Sequence, residues 1–128
     1  ASHNAGFSEG EPWIGVCDNY ETVNARAALD DPDSVFYTYQ SLISLRKTLP
    51  VLTWGDYQDL LPEHASLWCY RRQWQGQTLI VVANLSHNAQ EWQSDLLSGE
   101  AQVVMSNYPA PHATMLRSFE AVWWLQQG

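Results

Sequence analysis

Positive charge is scarce in this sequence. Six Lys and Arg stand against 14 Asp and Glu in 128 residues, a formal net charge of −8. A field of that sign repels phosphate backbones and anionic lipid surfaces, which argues against nucleic-acid and membrane partners. Long apolar runs are missing as well. Even the stretch Leu79 to Ala83 falls far short of the roughly 20 residues that a membrane-spanning helix requires. Cysteine is limited to Cys17 and Cys69, with no CxxC pair and no metal-type histidine spacing. Two free thiols in a reducing, cytoplasmic setting are therefore expected. An initiator methionine is also absent, and the chain enters at once a Gly/Asn-rich loop, which reads as the start of a fragment.

Aromatic residues, by contrast, are plentiful. Seven Trp, six Tyr and three Phe, within a hydrophobic share of 45%, exclude disorder because apolar burial of that extent offsets chain entropy. The length suits one domain, or one small domain with a piece of another attached, and is too short for a complete barrel enzyme.

Residues 1 to 24 carry Gly6, Gly10, Pro12 and Gly15 among polar residues without helical or strand periodicity, so they read as a structured loop. Asn24 is placed to cap a short helix over Ala25 to Leu29. Asp31 then reads as an N-cap, with Pro32 at the first helical position. In the next helix, Val35, Tyr39, Leu42, Arg46 and Leu49 recur at spacings of three and four, with Phe36, Ile43 and Leu45 widening the apolar stripe. Pro50 closes this helix and marks the boundary between residues 1–50 and 51–128.

Beyond Pro50 the pattern shifts to short aromatic-rich segments divided by turn residues. Strands are expected at Val51 to Trp54, Tyr57 to Leu61, Leu67 to Trp74 and Thr78 to Leu85, with Gln75-Gly76 as a two-residue hairpin loop. Further strands are expected near Glu91 to Gln93, Gln102 to Ser106, Thr114 to Arg117 and Phe119 to Leu125. If the last is a strand, Trp123 and Trp124 must point to opposite faces. The fold class is mainly β, a compact antiparallel sandwich with Greek-key connections following a loop and a helix.

Several stretches offer chemistry and fall short of it. Gly6-Phe7-Ser8-Glu9-Gly10 matches the G-x-S-x-G nucleophile elbow, yet there is no room for a strand before Ser8, and Pro12 and Gly15 oppose a helix after it. Asp30, Asp31 and Asp33 lack the spacing of a calcium loop and are accounted for by helix capping. His3, His64, His87 and His112 lie apart in loops and read as surface residues. None of the carboxylates sits in a setting that would single it out for glycoside hydrolysis. The tryptophans could form a sugar-stacking platform, which keeps a carbohydrate-binding β module as the rival reading, although tryptophan also fills small β cores. Asn84-Leu85-Ser86 is a formal glycosylation sequon that matters only in a secreted eukaryotic protein. No catalytic, cofactor-binding or metal-binding residue is therefore nominated.

One ordered series of motifs outweighs these. Asn4-Ala5-Gly6-Phe7, Pro12-Trp13-Ile14-Gly15-Val16, Asn19-Tyr20, Val23-Asn24 and Asp31-Pro32-Asp33-Ser34-Val35-Phe36, leading to Leu42-Ile43-Ser44-Leu45-Arg46-Lys47, resemble the end of the catalytic barrel in the oligo-1,6-glucosidase branch of the α-amylase family, glycoside hydrolase family 13. The likeness continues through Trp54-Gly55-Asp56-Tyr57-Gln58-Asp59-Leu60-Leu61-Pro62, Leu67-Trp68-Cys69-Tyr70-Arg71-Arg72 and Phe119-Glu120-Ala121-Val122-Trp123-Trp124-Leu125, and thins from His87 to Met115.

The resemblance implies that the helix before Pro50 is the last helix of a (β/α)8 barrel and that the rest is the C-terminal β domain. It also implies that the catalytic aspartate nucleophile and glutamate acid/base of a retaining α-glucosidase lie on segments preceding this one. The expected partners are then the parent catalytic barrel and, for the parent alone, a phosphorylated disaccharide substrate. The helix Ser34 to Leu49, if left without its barrel, is expected to fold onto the β domain or to drive self-association.

Overall fold

The computed structural model describes residues 2–97 and 100–127. Ala1, on which the reading of a fragment start rests, lies outside them. The chain divides into two compact units, residues 1–43 and 44–128.

The first unit opens with a 3-10 turn over His3–Gly6, followed by a loop up to helix α1 (Ala25–Asp30). Asn24 caps α1 as expected, its side-chain oxygen accepting the Ala27 N–H at 2.9 Å. Helix α2 (Val35–Thr48) begins in this unit and ends in the second. The expected Asp31 N-cap is corrected. Asp31 is the residue that ends α1, and its carboxylate accepts the Asp33 N–H at 3.0 Å within a turn. Ser34 begins α2 instead, its carbonyl accepting the Thr38 N–H at 3.2 Å. The Pro32 ring therefore occupies the turn between the two helices.

The second unit holds the end of α2, a single turn α3 (Val51–Trp54) and seven strands among the described residues. These are β1 (Gln58–Asp59), β2 (Leu67–Trp74), β3 (Gln77–Asn84), β4 (Gln90–Glu91), β5 (Gln102–Ser106), β6 (Met115–Leu116) and β7 (Ala121–Gln127). A five-stranded sheet runs β1-β2-β3-β7-β5, and β4 pairs with β6; every pairing is antiparallel. The mainly β, antiparallel reading holds.

The strand expected at Val51 to Trp54 is the helical turn α3. Pro50 already has helical dihedrals (φ −55°, ψ −32°), and its carbonyl accepts the Trp54 N–H at 2.8 Å. Adjacent Val51 and Leu52 are both buried on the same cluster, which a turn permits and a strand, with its alternating faces, does not. Arg72 of β2 holds this turn, donating to the Leu52, Gly55 and Asp56 carbonyls.

Strand β3 is central and covered on both sides. Ile80 and Val82 join Leu67, Cys69, Trp92, Leu116, Val122 and Trp124 in one cluster, while Leu79 and Val81 pack with Val51, Leu52 and the partly buried Leu45 and Leu49 in the other. Trp123 and Trp124 fall on opposite faces, as the strand reading requires. Gln75 and Gly76 close the β2–β3 hairpin with φ of 44° and 80°, the doubly left-handed geometry that matches strand twist.

Candidate functional site

The loop around Ser8 is built by its own backbone. Asn4, Ala5 and Gly6 stand consecutively at positive φ (49°, 54° and 81°), and the Asn4 amide donates to the carbonyls of Ser8 at 3.1 Å and Gly10 at 2.9 Å. Asn tolerates this region through its short polar side chain, whereas Ala5 does so at a cost of about 1–2 kcal/mol. The Ser8 hydroxyl is taken up locally, accepting the Gly10 N–H at 3.0 Å. Neither a preceding strand nor a following helix presents it, so the elbow geometry does not form.

This loop walls a cavity of about 880 Å³ with Phe7, Trp13, Ile14, Cys17 and Tyr20 among its lining. Phe7 and Trp13 are 90% and 94% exposed, an unusual state for large aromatic rings. The cavity holds one carboxylate, Glu11, and no basic side chain. It therefore offers apolar surface and no acid/base pair.

Other candidates are dispersed. No group of three or more His, Cys, Asp or Glu side chains able to hold a metal occurs among the described residues. All four histidines are exposed. His64 accepts the Ser66 and Leu67 N–H groups at Nδ1 (3.1 and 2.9 Å), and His87 lies edge-on to Phe119 with centroids 4.6 Å apart. Cys17 is exposed and Cys69 buried, both free. Burial, assisted by the Asp59 carboxylate, pushes the Cys69 thiol up to about 11, so it remains protonated and unreactive.

The tryptophans divide between core and surface. Trp92 and Trp124 are buried, and Trp74 and Trp123 pack against the second cluster. Trp68 is half-exposed and forms a short aromatic row with Tyr70 and Tyr57, at centroid separations of 5.1 and 5.2 Å and tilts of 43° and 34°. Those tilts break the row into separate facets. The sequon asparagine, Asn84, is 1% exposed and donates to the Asn88 and Arg117 carbonyls at 2.7 and 2.9 Å, which leaves its amide unavailable for modification.

The best-developed polar constellation is one the sequence did not reveal. Glu120 is fully buried and accepts three hydrogen bonds from Arg117, through N, Nε and Nη2 at 2.7, 2.9 and 2.8 Å. Arg117 also donates to the Pro109 carbonyl and lies 4.5 Å over the Tyr108 ring. With its acceptors occupied by one arginine, Glu120 braces a turn. A lone i, i+3 Arg/Glu pair outside a helix gives no periodic signal by which it could have been recognised.

What decides the family is sequence rather than a constellation of side chains. Residues 1–55 match the family model "Alpha amylase, catalytic domain". The whole chain is similar to trehalose-6-phosphate hydrolase of Escherichia coli (strain K12), 61% identical over 128 residues, covering 97% of this chain and 23% of the relative. The chain belongs to the α-amylase family. A second member, oligo-1,6-glucosidase of Heyndrickxia coagulans, is 39% identical over 128 residues and matches 98% of the chain and 23% of its own length. The crystal structure of Bacillus licheniformis trehalose-6-phosphate hydrolase superposes with a TM-score of 0.87 at 36% identity, over 98% of this chain and 24% of that one. This α-amylase-family chain thus spans about a quarter of the length of the relatives it matches. The likeness to those relatives extends past residue 55, where the match to the catalytic-domain model ends.

Proposed function

We propose that this chain is the C-terminal part of an α-glucosidase that hydrolyses trehalose 6-phosphate to glucose and glucose 6-phosphate. The observation that carries this reading is the 61% identity to a trehalose-6-phosphate hydrolase along nearly the whole chain, against 39% to an oligo-1,6-glucosidase over a similar span. Residues 1–50 are the tail of the catalytic barrel and residues 51–128 a β-sandwich domain with Greek-key connections. The family-model match to residues 1–55 supports that division, and the apolar clusters on either side of β3 support a layered β domain.

The chain's role in such an enzyme is structural. The retaining mechanism needs two carboxyl groups about 5–5.5 Å apart across the scissile bond. The resemblance assigns both to segments outside this chain, and the cavity beside Ser8 holds only Glu11. Phe7, Trp13 and the exposed half of α2 then lie against the barrel, and the loop 4–24 braces the rim of its active site. Working on a phosphorylated sugar, the enzyme operates in the cytoplasm, consistent with an exposed free Cys17. No helix among the described residues is long and apolar enough to cross a membrane.

Assaying a protein of the relatives' full length for glucose release tests the substrate. Turnover of trehalose 6-phosphate well above that of isomaltose is expected; the reverse preference would assign it to the oligo-1,6-glucosidases. The 128-residue chain alone should hydrolyse neither, and turnover surviving purification to homogeneity would overturn its structural role.

A further inference from the structure

We draw no further inference here: the strongest candidate, the exposed apolar face of α2 formed by Val35, Phe36, Tyr39 and Ile43, belongs to the reading already proposed, and nothing in the structure shows what covers it.

Discussion

The Arg117 guanidinium and the Glu120 carboxylate meet in a two-pronged ion pair, Nη2 to Oε1 at 2.8 Å and Nε to Oε2 at 2.9 Å, with the glutamate fully buried. Hydrogen bonding from Arg117 outweighs the opposing effect of burial and holds the carboxyl below its ordinary range. A carboxyl whose folded-state pKa lies below the unfolded value, about 4.3, stabilises the fold above that pH and loses this contribution as pH falls through the folded value. Glu120→Gln should therefore lower stability at pH 7 by about 1–3 kcal/mol, since Arg117 keeps only part of its partner. The gap to the wild type should narrow below about pH 4. Urea midpoints at neutral and at acid pH check both, and a gap that stays constant would contradict the ionised pair.

The β2–β3 hairpin turns on two residues at positive φ, and only the second is a glycine. Gly76→Ala should cost about 1–2 kcal/mol because a Cβ is disfavoured at φ 80°. Gln75→Asn should raise stability by several tenths of a kcal/mol, asparagine being the better occupant of the first position. Thermal melts of the two single variants should shift in opposite directions.

The long paired elements could be read from sequence, and the local exceptions could not. Alternation in Leu67 to Trp74 and the Gln75-Gly76 turn specify the hairpin, because period-two burial and left-handed turn geometry are both local. The opposite orientation of Trp123 and Trp124 likewise follows from a strand assignment, since alternation is local, and the two do fall in different clusters. The α3 turn escaped because four residues are too few to show a helical period, and Val51-Leu52-Thr53-Trp54 is rich in strand-favouring types. The irregularity in β5–β7 pairing between Val103 and Met105 depends on partners far along the chain. At the candidate site, the rejection of Ser8 rested on missing flanking elements. The Arg117–Glu120 brace was not legible, since only folding reveals that the glutamate is buried.

Gly55 tests a packing constraint rather than a backbone one. Its φ of −61° suits any residue, but a Cβ there would lie 2.4 Å from the Val51 carbonyl oxygen and 3.2 Å from Arg72 Cβ. Gly55→Ala should destabilise by about 1–3 kcal/mol, because the methyl group would displace the Val51 carbonyl that accepts the capping Gly55 N–H and would crowd Arg72 of β2. At Gly15 an added Cβ meets nothing within 4 Å, so Gly15→Ala should be near neutral. Equal losses at the two sites, measured by denaturant unfolding, would refute a steric cause at Gly55.

Helix α2 changes character along its length. Leu45 and Leu49 pack against the cluster of Val51, Leu52, Leu79 and Val81, whereas Val35, Tyr39 and Ile43 are 72%, 63% and 52% exposed. The stripe expected to fold onto the β domain does so at Leu45 and Leu49 alone, while Val35, Phe36, Tyr39 and Ile43 stay exposed. Ile43→Lys should leave the melting temperature of the isolated chain almost unchanged, because a substitution at an exposed position usually stays within about 0.5 kcal/mol. Any association of the isolated chain through this face should weaken in light scattering, because the lysine removes apolar surface. In a full-length protein whose barrel covers that face, the same lysine would be buried without a partner and should destabilise by several kcal/mol. Equal tolerance in both contexts would show that the face is solvated in the complete enzyme, and would remove the barrel as its cover.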